Sequence, residues 1–473
     1  MAAPTEPTQQ GTAADDDVRL TGPIIIVALV SAISGLLYGY DTGIISGALL
    51  QIADEFQVGD GMQQVIAASI LLGAVVGALT CSRLSESMGR RKTLVIVAIV
   101  FAVGALWAAL APTPLMLVIG RLILGFAVGG ATQTAPVYVA ELAPTKYRGR
   151  LVLFFQIAIG VGIVIATITG AASGIDWRIA VGAAAVPALF MLFMMLRLPE
   201  SPRWLTKSGD VDGARASLER VRPGGGDVGP ELDEVKDAVQ AEKEQSTRGW
   251  KGLREPWVRP ALVVGCGIAI LTQLSGIEMI IYYSPTILTD NGFSRQTALY
   301  VSVGLGLTYL ITQLIGLAII DRVGRRRLTL ITLPGAAAAL IVLGTFFVTG
   351  NDGPEMVPFI IATLIIFMAF TAGGIQLMGW LTGSEIYPLA TREAGAAAQS
   401  ASLWGTNLLI TLTLLSTINL IGTGQTFWMY AAFNIIAFLF LYKKMPELTG
   451  RSLEQIEGNL RKGEFTPADF ARR

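Results

Sequence analysis

Twelve times in 473 residues the sequence stays apolar for about 20 positions, and this recurrence limits the possible folds more than any other feature. The runs fall at roughly 24–50, 62–81, 93–111, 115–140, 151–172, 179–198, 260–288, 297–320, 328–349, 357–382, 394–418 and 425–442. At ~1.5 Å per residue, ~20 helical residues cross a ~30 Å hydrocarbon layer. Inside that layer every backbone polar group must be satisfied internally, which an α-helix does. We therefore expect an all-α membrane protein of twelve transmembrane helices. With 52% hydrophobic and 15% charged residues, the composition agrees.

Basic residues orient the spans. With both termini inside, the outer loops carry only Arg178 and Arg295 and Arg121 lies within a span, so the remaining 32 of 35 Lys and Arg fall inside. That bias predicts cytosolic termini in a multi-pass protein of the cell membrane. The expected organisation is a disordered tail over 1–22, a six-helix bundle over 23–198 and a polar stretch over 199–259. A second six-helix bundle follows over 260–442, then a cytosolic tail over 443–473. The start of the chain lacks the basic residues of a signal peptide. The 199–259 stretch reads either as a solvated linker or as a cytosolic helical bundle latching the halves through charge pairs.

The two halves repeat one another. RLSESMGRRK (Arg83–Lys92) follows span 2, and DRVGRRRL (Asp321–Leu328) follows span 8. Span 4 ends in Glu141, Pro144 and Arg148, and span 10 ends in Glu385, Pro388 and Arg392 at identical spacing. PESPRWL (Pro199–Leu205) and PELTGRSLEQIE (Pro446–Glu457) close spans 6 and 12. The offsets are 235, 244 and 247 residues, as a duplicated six-span unit in parallel orientation requires. The repeated acids and arginines form a cytosolic charge network: Glu86, Arg90, Arg91, Glu141, Arg148, Glu200 and Arg203 in the first half. Asp321, Arg325, Arg326, Glu385, Arg392, Glu447 and Arg451 are their counterparts in the second. Such clusters can tie helices together in one state and release them in another, or can simply anchor topology.

Within the membrane, Asp41 in span 1 and Arg121 in span 4 are the informative charges. A lone carboxylate at mid-membrane costs about 2.5–3.5 kcal/mol, so it faces a cavity, pairs with a cation or carries protons. One buried acid and one buried base suggest a proton-coupled pathway; a static pair holding spans 1 and 4 is the plainer alternative. The chain has no histidine and two cysteines, Cys81 and Cys266, in or beside apolar spans. That excludes histidine chemistry and a cysteine metal site, and we expect no metal, no cofactor, no nucleic acid and no enzyme.

These motifs together identify a resemblance. GLLYGYDTGIISGAL, the GRRK loop, GRLILGFAVGG, PVYVAELAPTKYRG, PESPRWL, QLSGIEMIIYYSP, DRVGRRR, SEIYP and PELTGRSLEQIE resemble the sugar porters of the major facilitator superfamily over nearly the whole chain. The resemblance to the family's bacterial symporters implies that Asp41 is the proton-coupling acid and Arg121 its partner. It implies a proton symporter importing a monosaccharide or polyol (a hexose, a pentose or an inositol-like compound) as a monomer in a lipid bilayer, by alternating access. An uncoupled facilitator or an exporter of another small polar solute is the alternative. It further implies sugar ligands at Gln156, Gln273, Trp380 and Asn407, with Trp404 at a family position, and an outer gate at Tyr282 and Tyr283. Each glutamine could instead serve an interhelical hydrogen bond.

Several positions depart from the family pattern. Thr272 stands where the first of two span-7 glutamines is usual, and Glu278 stands where an asparagine follows SGI. Tyr309 replaces the usual span-8 asparagine, Gln376 and Leu377 replace a Gly-Pro pair in span 10, and Leu403 replaces a polar residue. We expect Thr272, Glu278 and Gln376 to belong to a rewritten substrate site. Glu278 could accept hydrogen bonds, titrate or favour an amine-bearing group; it could also be purely structural. Without the proline, span 10 is expected to be less bent.

Overall fold

The computed structural model describes residues 22–471, apart from 173, 223–226, 245–248, 351–352 and 452; the expected tail over 1–21 lies outside them. Among the described residues, twelve helices are long and apolar enough to cross a membrane. In the first half they are Gly22–Phe56, Asp60–Met88, Arg90–Ala109, Pro114–Leu142, Thr145–Ala171 and Trp177–Arg197. In the second half they are Arg259–Asp290, Arg295–Val323, Arg325–Val348, Val357–Gly383, Arg392–Ile421 and Thr423–Lys444. There is no strand among the described residues. Most helices outrun their apolar segments by one or two turns, because a helix continues into the headgroup region where charged residues are tolerated.

Small residues explain how the first half closes. Gly35, Gly39, Gly43 and Gly47 recur every fourth residue, so they share one face of span 1. A Cβ on Gly35 would meet the backbone carbonyl of Phe155, and one on Gly39 that of Ile159, both in span 5. Spans 2 and 4 repeat the device: Gly73 and Gly77 lie against Leu122 and Phe126, and Gly125 and Gly129 against Ile70 and Ala74. Lipid is as apolar as leucine, so helix association in a membrane rests on such close approach. Asp41 lies between Gly39 and Gly43, in the tightest part of this packing.

Three spans are interrupted. Span 6 breaks at Ala183–Ala184 and span 7 at Ser275–Gly276, where Gly276 takes φ 95°. Span 10 also breaks, which corrects the expectation of a straighter helix. The helix Val357–Ala372 ends, and Ile375–Glu385 begins after Gly374, whose backbone sits at φ −119°, ψ −103°. The Gly373–Gly374 pair does the work that Gly-Pro would have done, a few residues earlier.

The duplicated motifs superimpose in their chemistry. Glu200 accepts the backbone N–H groups of Arg90 (2.8 Å) and Arg91 (3.0 Å), capping span 3. Glu447 accepts those of Arg325 (2.9 Å) and Arg326 (3.2 Å), capping span 9. Arg90 pairs with Glu141 at 3.0 Å, and Arg325 with Glu385 at 3.0 Å. Both spans follow a glycine at positive φ, Gly89 at 99° and Gly324 at 97°.

The polar stretch is helical and docked. Helices Pro202–Ser208, Val211–Val221 and Gly229–Glu244 bury Ala214, Leu218, Val228 and Leu232 among themselves. Hydrogen bonds hold them against the first half. Arg222 donates to the Leu142 carbonyl (3.0 Å), Trp204 to that of Glu86 (2.8 Å) and Ser217 to that of Glu200 (2.6 Å). Further on, Leu253 and Val258 pack against Ala394 of span 11. The attachments include backbone carbonyls, apolar contacts and the Glu141 carboxylate, which accepts from Ser201.

Candidate functional site

Asp41 and Arg121 meet in the middle of the first bundle. Arg121 Nη2 lies 3.6 Å from Asp41 Oδ2, and the side chains are 0% and 6% exposed. Arg121 Nε donates to the Ile66 carbonyl at 2.8 Å, while neither Nη1 nor Nη2 closes a hydrogen bond. This is a loose pair. A bidentate pair would have filled those donors and been hard to separate. Burial disfavours charge on the acid and the guanidinium favours it, so a small change in their separation shifts the balance.

Glu278 is the second buried acid, 2% exposed, in the first turn after the span-7 break. The amides of Gln376 and Asn407 are its side-chain neighbours, and its Oε2 has no protein partner within 3.5 Å. Gln273, also fully buried, has both amide atoms unpartnered, and so do Gln156 Oε1, Gln376 Oε1, Asn407 Nδ2 and Trp404 Nε1. Buried polar groups are ordinarily paired. Unpaired donors and acceptors from spans 5, 7, 10 and 11 converging on one region are what a polyhydroxylated molecule would satisfy.

Aromatic faces line the same region. Tyr38 stands 5.1 Å from Trp404 and 6.1 Å from Trp380, and Phe155 lies 6.2 Å from Trp380, all edge-on. The cluster joins spans 1 and 5 of one half to spans 10 and 11 of the other.

Thr272 stands apart from these groups: its hydroxyl donates to the Ile375 carbonyl at 3.3 Å, fastening span 7 to span 10 at its break. Tyr283 similarly donates to the Thr411 carbonyl at 3.0 Å within the second half. Tyr282 instead crosses between halves to Thr42, within electrostatic reach of Asp41, Arg121 and Glu278.

Both ends of the cleft are bridged. At the face away from the linker, Arg295 meets Asp54 (2.6 Å), Asn419 donates to Asp60 (2.7 Å) and Gln64 to Ser416 (2.9 Å). At the linker face, Arg90 reaches Glu393 (3.3 Å) and Ser400 donates to Gln133 (3.4 Å). The conformation is therefore occluded.

The expected charge network is present in outline, with differences. Arg90 makes a described bridge between halves, to Glu393, which was not singled out from the sequence. Asp321 pairs with Arg325 at 2.7 Å, but Glu86 meets Glu393, carboxyl to carboxyl. Arg91 and Arg326 cap carbonyls, at Leu196 (2.8 Å) and Tyr442 (2.8 Å). Arg451 donates to the Phe470 carbonyl (2.9 Å) in the tail. The side chain of Arg148 lies outside the described residues. Sequence reasoning also missed Gln313, fully buried, whose Nε2 donates to Tyr309 at 3.4 Å and whose Oε1 is unpartnered. An amide four residues after Tyr309 in an apolar span was the available signal.

Known proteins resemble this chain over most of its length. The family model "Sugar (and other) transporter" matches residues 27–460. The major myo-inositol transporter IolT of Bacillus subtilis is 34% identical over 444 residues, 92% of this chain and 94% of that protein. The galactose-proton symporter of Escherichia coli K12 is 36% identical over 441 residues, covering 92% and 94%. Among solved structures, the partially occluded inward-open xylose transporter XylE from E. coli matches with TM-score 0.78 and 28% identity, covering 91% of this chain and 100% of that one.

Proposed function

Since this chain belongs to the sugar porter family of the major facilitator superfamily, we propose that it is a proton-coupled symporter that imports a monosaccharide or polyol by alternating access. The observation that carries this reading is the loose, fully buried Asp41–Arg121 pair. The halves over 23–198 and 260–442 rock about the site, with both termini and the 199–259 linker in the cytosol and the protein monomeric in the cell membrane. The relatives named for galactose-proton symport and for myo-inositol transport support the substrate class.

Outward opening breaks the bonds of Asp54, Asp60 and Gln64 to the second half; inward opening breaks those of Arg90 and Gln133. Exposed ion pairs contribute about 0–1 kcal/mol and neutral hydrogen bonds about 0.5–1.5 kcal/mol. Each gate therefore holds by only a few kcal/mol, which substrate and proton binding can overcome, since about 5.5 kcal/mol carries a two-state equilibrium from 1:99 to 99:1. Gln156, Gln273, Gln376 and Asn407 supply hydrogen bonds to hydroxyls, and Trp380 with Tyr38 covers the apolar face of the ring. Tyr282, tied to Thr42 beside Asp41, relates protonation of the acid to closure of span 7 over the substrate. The test is uptake by proteoliposomes across a panel of hexoses, pentoses and inositols: an inward proton gradient should drive accumulation of at least one. Equilibration without accumulation would make the protein a facilitator.

The linker-face network should set rate and leave selectivity alone. Arg90→Ala is expected to slow transport roughly tenfold, about 1.4 kcal/mol, because Glu141 and Glu393 lose their shared partner. Competition assays with the same panel should return the wild-type rank order. A changed order would place Arg90 in the substrate site instead.

A further inference from the structure

The interior of the spans holds two acids and one base. Among the described residues, the Asp, Glu, Lys or Arg side chains lying well inside the spans are Asp41, Arg121 and Glu278. Arg121 is committed to Asp41. Glu278 has the amides of Gln376 and Asn407 and the tyrosines Tyr38, Tyr282 and Tyr309 within electrostatic reach, and no salt bridge among the described residues. It stands in the first turn of Ile277–Asp290, where the partial positive end of the half-helix favours a carboxylate. Its Oε2, aimed at no protein donor, sits in a side chain 2% exposed. Tyr38 is within electrostatic reach of Glu278 and edge-on to Trp380 and Trp404, so an aromatic cluster stands near the acid. A carboxylate lacking a counter-ion, near aromatic side chains, is the recognition chemistry of a substituted ammonium group.

We propose that the substrate of this transporter is an aminated monosaccharide or polyol whose protonated amine binds Glu278, its hydroxyls binding Gln156, Gln273, Gln376 and Asn407. The protein thereby supplies one member of an ion pair and the substrate the other. A neutral hexose can give Glu278 Oε2 a hydroxyl hydrogen bond but no opposite charge, and an asparagine there could both donate and accept, whereas a carboxylate only accepts. This inference rests on the symport reading and specifies its substrate.

Competition in proteoliposomes at fixed pH tests it, with D-glucosamine, D-galactosamine, D-glucose and N-acetyl-D-glucosamine as probes. Acetylation removes the charge and keeps the ring. In the wild-type protein the amines should compete at least about tenfold better than D-glucose or the N-acetyl derivative, the usual advantage of a charge-assisted bond. Glu278→Asn, with Glu278→Gln as the isosteric second variant, should abolish or invert that ratio. Equal or better competition by D-glucose in the wild-type protein overturns the inference and leaves sugar symport standing. So does an unchanged ratio in a variant that still transports. If no sugar, aminated or neutral, competes or accumulates, the symport reading falls with it.

Discussion

Asp41→Asn is expected to abolish uphill accumulation while counterflow of substrate persists. Asparagine reproduces the size and neutrality of the protonated acid, so exchange of loaded carrier continues. It cannot take up and release a proton, so net transport loses its drive. A proton crossing ~100 mV contributes ~2.3 kcal/mol, enough at one proton per neutral substrate for roughly 50-fold accumulation. With an inward pH gradient as the only drive and the membrane potential held at zero, so that a charged substrate gains nothing from the potential, the variant should fall to a ratio of one. Removing one partner of a buried pair leaves the other uncompensated, at a cost of about 3–5 kcal/mol. The double variant Asp41→Asn/Arg121→Gln separates lost coupling from lost folding. Retained counterflow in either variant with no accumulation supports the assignment; accumulation by Asp41→Asn under a proton gradient removes Asp41 from the coupling step.

The second large effect is structural. Gly39→Leu is expected to yield no monodisperse protein after extraction from membranes. Even a Cβ at position 39 would drive into the Ile159 carbonyl of span 5, and backbone cannot rotate aside as a flexible side chain can. Overpacking commonly costs about 1–3 kcal/mol, and here the collision is with the main chain on one face of a four-glycine seam. Gly304→Leu is the control, since nothing lies within 4 Å of a Cβ there. Size-exclusion profiles and thermal stability of the two variants give the readout. A well-folded Gly39→Leu with wild-type stability would show that spans 1 and 5 do not approach as closely as described.

Much of this was legible in the sequence, for identifiable reasons. Apolar length is a one-dimensional property, so all twelve spans could be located. Charge in hydrocarbon is costly enough that Asp41 and Arg121 had to find each other across two helices. The duplicated loops could be matched by spacing, and the structure shows why both copies keep a glycine and an acid: Glu200 and Glu447 cap the helices that begin after Gly89 and Gly324. What was hidden depends on rotation about helix axes. Nothing in the spacing said that Thr272 would turn to the Ile375 carbonyl while Gln273 kept both amide atoms free. Nor did it say that Arg90 would reach Glu393 across the cleft. The straightened span 10 failed because proline was treated as the source of the bend, whereas Gly373–Gly374 supplies an equivalent break.

Proton movement evoked by substrate tests the central claim most directly. Proteoliposomes holding a pH-sensitive dye, with no imposed gradient, would receive substrate outside while internal pH is followed. Symport through the Asp41–Arg121 site should acidify the lumen in step with substrate entry, at one proton per molecule, and Asp41→Asn should abolish the signal while leaving counterflow. Substrate entry with no change in internal pH, or with alkalinisation, would contradict proton symport.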